Sequence, residues 1–176
     1  MREVVESGIA ERLETLYEED FEHFVRVASG IAGGMENGVD AVHDAFLACL
    51  RRRDTYRGLG TLEAWVWRAV VTSALKLARA NRKYSNVDVD EILAHEHTED
   101  VVPVVRNADI EGVRQAVRAL PERQRVVLFL RYYADLDYLA IARILGIRPG
   151  TVGVSLSKAQ ITVRRALDDA RGEGQI

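Results

Sequence analysis

Residues 136–167, LDYLAIARILGIRPGTVGVSLSKAQITVRRAL, constrain the fold most because they predict two helices separated by a tight turn. Apolar residues recur on one face of the first segment, and Ala142 is small where a second helix would cross closely. Gly146 permits a left-handed turn, and Pro149 suits the start of the next helix. This pattern is typical of a helix-turn-helix, although a plain structural hairpin would show the same apolar stripe.

Composition narrows the class of protein. Long stretches rich in Ala, Leu, Val and Arg, with three prolines in 176 residues, predict an all-α protein. No apolar run approaches the about 18 residues of a membrane span, and the acidic N-terminus lacks a signal region. The single Cys49 forms no internal disulfide. We therefore expect a cytoplasmic protein without membrane insertion, in which Cys49 is a small buried hydrophobe.

Charge is distributed in blocks although the net charge is −3. Residues 1–50 carry a net −8, residues 51–84 a net +7, residues 85–112 a net −7, and residues 113–176 a net +5. Two basic blocks separated by acidic ones are typical of a protein with two surfaces that face a polyanion.

The periodicity predicts two small helical domains, residues 1–84 and 111–176, joined by a flexible acidic linker at 85–110. In the first domain we expect helices over 9–32, 39–53 and 62–83, with a turn at 33–38 and Thr61 as a cap. In the second domain helix is predicted from residue 111, with a boundary between helices at Leu120–Pro121 and the helix-turn-helix after it. His95 and His97 lie in the linker without further ligands at suitable spacing, so no metal site is expected.

Three stretches resemble segments of one protein family. LPERQRVVLFLRYYADLDYLAIARILGIRPGTV (120–152) resembles the C-terminal promoter-binding domain of bacterial sigma factors, specifically the extracytoplasmic-function (ECF) group. DAVHDAFLACL (40–50) is similar to the helix with which those factors grip the clamp helices of the polymerase beta-prime subunit. YRGLGTLEAWVWRAVVTSALKLARANRK (56–83) resembles the segment that recognises and opens the −10 element.

The resemblance implies an alternative sigma factor that binds core RNA polymerase, at the beta-prime clamp helices and the beta flap, and directs promoter-specific transcription initiation. No cofactor is implied. The implied polymerase-binding residues are Asp40, His43, Asp44 and Leu47. The implied −10 DNA-binding residues are Tyr56, Arg57, Trp67, Arg68, Thr72, Lys76 and Arg79. The implied −35 DNA-binding residues are Arg148, Thr151, Ser155, Ser157, Lys158 and Arg164.

The physical chemistry of these residues fits the implied roles. The basic residues of 57–83 can follow a phosphate backbone, and a glycine-containing loop beside aromatic rings can hold an unstacked base. Trp65 is expected in the core, whereas Trp67 is equally compatible with a core position and with a platform for a base.

The chain departs from the family at both DNA-reading segments. Where the family commonly has Lys-Ser-Arg-Leu, residues 153–156 are Gly-Val-Ser-Leu, so two basic groups are missing. Val71, Thr72 and Lys76 replace a frequent Arg-Asn and Asp. Since a base contact contributes about 1–3 kcal/mol, these changes predict altered promoter recognition.

Two other functions remain open from the sequence. A degenerate sigma-like protein would act through contacts with polymerase or an anti-sigma factor without initiating transcription, which the missing basic groups favour and the basic block 68–83 opposes. A ligand-binding helical repressor would bind a symmetric operator by itself.

Enzymatic activity is not expected, because no nucleophile with a base, paired carboxylates or phosphate-binding loop stands out. The two-domain design also predicts regulation by an anti-sigma partner.

Overall fold

The computed structural model describes the backbone of residues 2–58, 60–81 and 107–172, and the side chains of residues 8–58, 60–80 and 112–169. These described residues contain helices and no strand, so the all-α prediction is confirmed. The helices, in chain order, are α1 (Arg2–Ala32), α2 (Met35–Arg51), α3 (Leu62–Asn81), α4 (Asn107–Ala119), α5 (Glu122–Tyr132), α6 (Tyr138–Leu145) and α7 (Pro149–Gly172), with a short 3-10 turn at Arg53–Thr55.

Helices α1, α2 and α3 pack together as the N-terminal unit. Their buried faces contribute Phe24, Val42, Val66 and Trp67 to its core. Between α1 and α2 the chain reverses at Gly33 and Gly34, both with positive φ. Helix α2 then begins at Met35, four residues earlier than predicted.

The early start of α2 has a packing reason at Gly38. A Cβ on Gly38 would clash with the hydroxyl and the backbone of Ser29 in α1, so α1 and α2 touch there through backbone. The glycine that suggests a turn in the sequence instead allows two helices to approach closely. Thr61 caps α3 as predicted, because its Oγ1 accepts a hydrogen bond from the amide of Ala64 at 3.1 Å.

Helices α4 to α7 form the C-terminal unit. Helix α4 begins at Asn107, four residues inside the predicted linker, and the rest of that linker, with His95 and His97, lies outside the described residues. Pro121 is the N-cap of α5, as the boundary at Leu120–Pro121 predicts.

The helix-turn-helix forms at α6 and α7. Asp137 caps α6 by accepting a hydrogen bond from the amide of Ala140 at 2.7 Å. Gly146 ends α6 in the left-handed conformation, with φ of 65°, and α7 follows at Pro149. The two helices are bent by 104° relative to each other, within the range expected for this motif. No single described helix is long and apolar enough to cross a membrane.

The two units pack against each other rather than standing apart. The ring of Phe129 in α5 lies against Gly30 in α1, and Phe129 is buried there. His23 donates through Nε2 to the carbonyl oxygen of Tyr133 at 2.6 Å. Contacts between α3 and α6 extend the same interface, which gives one continuous apolar core across both units.

Candidate nucleic-acid interface

One face of α3 carries three exposed basic residues and a threonine. Arg68, Thr72, Lys76 and Arg79 recur at three- or four-residue spacing and are all exposed. The hydroxyl of Thr72 donates to the carbonyl oxygen of Arg68 at 2.7 Å, so its side chain folds back onto the helix. The three cations lie along one side of α3, an arrangement that suits a phosphate backbone.

Arg79, at the C-terminal end of this face, forms an ion pair with the other unit. Its Nη2 lies 2.6 Å from Glu122 Oε1 in α5. The hydrogen bond from Arg79 and the negative charge of Glu122 raise the pKa of Arg79 above its ordinary value. An arginine that is expected to bind DNA is therefore paired, in this arrangement, with a carboxylate of the C-terminal unit.

An aromatic pair stands at the start of α3. The rings of Tyr56 and Trp65 have centroids 5.5 Å apart, and both residues are half-buried. Tyr56 donates its hydroxyl proton to the carbonyl oxygen of Gly60 at 2.8 Å, which closes the loop that also carries the exposed Arg57. This loop, the start of α3 and α6 line a cleft of about 600 Å³. Arg143 of α6 lies on the opposite wall.

Trp67 does not serve as a platform for a base. It is 1% exposed, its indole nitrogen donates to Glu63 Oε1 at 3.3 Å, and its ring lies 4.4 Å from that of Phe24. In this arrangement the buried indole offers no free face on which a base could stack.

Trp65, which was expected in the core, is instead half-buried and lines the cleft. The signal was present in the sequence, because Trp65 precedes Arg68 by three residues and Thr72 by seven, which places all three on one face of α3. Trp67 shares the opposite face with Val70, Val71 and Ala74, all of which are buried.

In the helix-turn-helix, most of the predicted DNA-binding residues are accessible. Arg148, Ser157, Lys158 and Arg164 are exposed, and Thr151 is half-buried. Ser155 is 7% exposed and lies on the packed side of α7 with Val152, Leu156 and Ala159. In this arrangement Ser155 is therefore not accessible to DNA.

Helix α2 presents a separate surface. Asp40, His43, Asp44 and Leu47 are all exposed, as docking would require. Because α2 begins at Met35, the two aspartates lie beyond its first turn, and Glu36 is the acidic residue that is placed to favour the N-terminal dipole.

A groove of about 630 Å³ runs between α1 and α2 beside this surface. Its walls include Leu13, Phe46, Leu47 and Leu50. His43 stacks near Tyr17, and its Nε2 is 3.0 Å from the hydroxyl of Tyr17. An apolar groove with charged residues at its edge is typical of a surface that binds a helix of another protein.

Cys49 is buried in α2, as expected, and burial raises the pKa of its thiol to about 11. It is therefore a poor nucleophile at neutral pH. Within the described ranges, no three His, Cys, Asp or Glu side chains come together in a way that could hold a metal ion.

Comparisons with known proteins agree with this architecture. The family model for sigma-70, region 4 matches residues 110–160, which include α5, α6 and the first half of α7. The ECF RNA polymerase sigma-E factor of Escherichia coli (strain K12) is 30% identical over 156 residues, covering 82% of this chain and 80% of the relative. RNA polymerase sigma factor YlaC of Bacillus subtilis (strain 168) is 23% identical over 167 residues, covering 93% and 96%.

Two solved structures share the fold. CnrH, solved in complex with the cytosolic domain of CnrY, superposes with a TM-score of 0.69 over 94% of this chain and 96% of that chain, at 17% identity. The sigma factor RpoE from Bartonella quintana, solved with the anti-sigma factor NepR, gives a TM-score of 0.61 over 88% and 98%, also at 17% identity. With the helix-turn-helix, the basic face of α3 and a 30% identical relative spanning most of its length, this chain belongs to the ECF group of RNA polymerase sigma factors.

Proposed function

We propose that this chain binds core RNA polymerase through α2 and directs initiation at promoters whose −10 element contacts α3 and whose −35 element contacts α7. The observation that carries the proposal is the basic face of α3, which begins at the Tyr56–Trp65 pair and continues through Arg68, Lys76 and Arg79. The cations follow the backbone of a single strand, and half-buried rings offer a stacking surface for its bases. The chain itself performs no bond chemistry in this role and acts in the cytoplasm with the polymerase.

Docking on polymerase uses the groove between α1 and α2. Leu47 is 48% exposed at its edge and Leu50, one helical turn further along, is 37% exposed, so a partner would cover two neighbouring apolar side chains. Asp40 and Asp44 are exposed on the same helix and set the orientation of a partner that carries basic residues. A pair of helices, such as the beta-prime clamp helices, is the kind of partner this groove fits.

Promoter binding requires the two units to separate. The −10 and −35 elements are about 25 base pairs apart, or roughly 85 Å of duplex at about 3.4 Å per base pair. A compact chain of 176 residues has a radius of gyration of about 16 Å. The packed arrangement is therefore too short to reach both elements, and the pairing of Arg79 with Glu122 is lost when α3 takes up DNA.

A regulatory partner fits the packed arrangement. One neighbour of similar fold was solved with an anti-sigma factor, and we propose that a protein of that class stabilises the packed form of this chain. Such a partner would compete with core polymerase. The measurement is the displacement of labelled chain from core polymerase by the partner recovered with it from cells, and failure of displacement would count against this regulation.

The experiment that tests the function is reconstituted transcription. Bacterial core polymerase, the purified chain and a genomic library from the same cell are combined, and transcript starts are sequenced. New starts that share a pair of upstream elements support the proposal. Tight core binding without new starts would instead support a sigma-like protein that acts through protein contacts.

A further inference from the structure

Val154 occupies the outermost position of the first turns of α7. The packed side of this helix consists of Val152, Leu156 and Ala159, which are buried. At 100° per residue, Val154 lies opposite that side, on a face with Ser157 and Ile161. Val154 is 57% exposed, so its methyl groups are directed away from the protein.

Residue 153, next to Val154, is a glycine, so it has no side chain that could cover the exposed face of α7. A Cβ at residue 153 would lie 3.5 Å from Cε2 of Tyr138, so the tyrosine ring already stands beside this position at ordinary contact distance. Tyr138 is itself 43% exposed. Where the family commonly has a lysine, this chain therefore presents a backbone next to an aromatic ring, and the neighbouring Val154 is the side chain that protrudes.

Charged side chains flank the segment around Val154, and the segment itself contains none. Residues 149–157 contain no ionisable side chain, whereas Arg148 and Lys158 are exposed at the two ends of this segment. The two cations can bind phosphates and orient the helix, but the centre of the face carries no charged group, and Val154 protrudes there beside the hydroxyl of Ser157. In the major groove the apolar group that the four bases present is the C5-methyl of thymine.

We infer that Val154 is a specificity-determining residue that contacts the C5-methyl group of a thymine in the −35 element. The inference rests on the proposed function of α7 as the −35 reader. In this arrangement an apolar contact reads the base in place of the basic side chains that the family commonly has in this segment. The absence of a side chain at Gly153 and the protruding side chain of Val154 both serve that contact.

Deoxyuridine provides the test because it pairs like thymine and lacks only the C5-methyl group. Once transcript mapping has identified the −35 element, each of its thymines on either strand is replaced singly, and open-complex formation by the reconstituted holoenzyme is measured. We expect one position at which the substitution lowers promoter affinity about fourfold, the effect of losing one buried methyl-sized group. Substitutions at the other thymines should change affinity by less than twofold.

Two variants assign the effect to the side chain. With Val154→Ser the sensitive position should no longer distinguish thymine from deoxyuridine. Ile161→Ser removes another exposed apolar residue of the same face, two turns further along, and should retain the full fourfold difference. Both positions are exposed, so melting temperatures close to that of the parent chain are expected and would show that neither variant unfolds.

The outcomes separate this inference from the function on which it rests. A shared −35 element without any position sensitive to deoxyuridine would overturn the role of Val154 and leave the sigma-factor function intact. An equal thymine preference in the Val154→Ser holoenzyme would overturn it as well. Absence of any shared upstream element would overturn the proposed function, and the role of Val154 with it.

Discussion

The ring of Phe129 occupies the space that a side chain on Gly30 would need, so the N- and C-terminal units meet where one of them has no side chain. Three atoms of the ring lie within contact distance of a Cβ built on Gly30. Because Gly30 is buried in the last turns of α1, this glycine determines how closely α5 can approach.

Gly30→Ala is expected to separate the two units without unfolding either. Alanine is favoured over glycine within a helix by about 1 kcal/mol, so α1 itself should not be weakened. The added methyl group collides with Phe129 and should raise the radius of gyration measured by small-angle X-ray scattering. Gly8→Ala is the matched control, because Gly8 lies in the same helix and a Cβ there meets nothing. Equal radii for the two variants would contradict the role of Gly30.

Glu122→Gln should increase the affinity of the chain for DNA. The substitution removes the carboxylate that pairs with Arg79. The arginine can then bind a DNA phosphate without first breaking an ion pair. Fluorescence anisotropy with a labelled single strand, repeated at several salt concentrations, measures the effect, which should be largest at low salt.

Asp135→Asn controls for the change in net charge. Asp135 pairs with Arg131 inside the C-terminal unit at 3.2 Å, and asparagine tolerates its positive φ of 48°. The two variants carry the same net charge, so an equal gain in DNA affinity would show that net charge, and not the pairing with Arg79, is responsible.

Leu47→Glu should weaken binding to core polymerase by at least about tenfold, because it places a charge where a leucine side chain is covered on docking. Folding should be preserved, since Leu47 is exposed in the isolated chain. Ala48→Glu is the companion variant, because Ala48 is also exposed on α2 but is not among the residues that line the groove. Surface-immobilised core polymerase gives both affinities, and similar losses for the two variants would contradict docking through the groove.

Burial of Cys49 predicts a pH dependence of stability at alkaline pH. Well below pH 9 the thiol is protonated in the folded and the unfolded chain, so it contributes no slope. Between pH 9 and about 11 the unfolded chain releases the proton while the folded chain retains it, so the free energy of unfolding falls as pH rises. The largest slope is about 1.4 kcal/mol per pH unit.

Urea unfolding of the parent chain and of Cys49→Ala, compared from pH 8 to 11, isolates this contribution because all other groups titrate in both. The difference in unfolding free energy between the two chains should shrink as pH rises. A constant difference across the range would show that the thiol does not titrate as its burial requires.

Local chemistry determined the parts of this protein that the sequence predicted well. Gly146 has the left-handed conformation, Pro149 starts α7 and Thr61 caps α3, because each of these depends on one residue's own backbone preference or on a hydrogen bond three residues away. The basic face of α3 was predictable for the same reason, since helical periodicity alone places Arg68, Thr72 and Lys76 together.

Tertiary packing decided the rest. Gly38 lies inside α2 at the point where Ser29 of α1 packs against it, and Trp67 is buried while Trp65 faces the cleft because α1 covers one side of α3. Ser155 faces inward because it lies on the side of α7 that packs against the other helices of its unit. Arg79 pairs with Glu122, which is 43 residues away in the chain. Such contacts depend on which surfaces meet after the helices have formed, and helical periodicity shows which residues share a face but not which face another helix will cover.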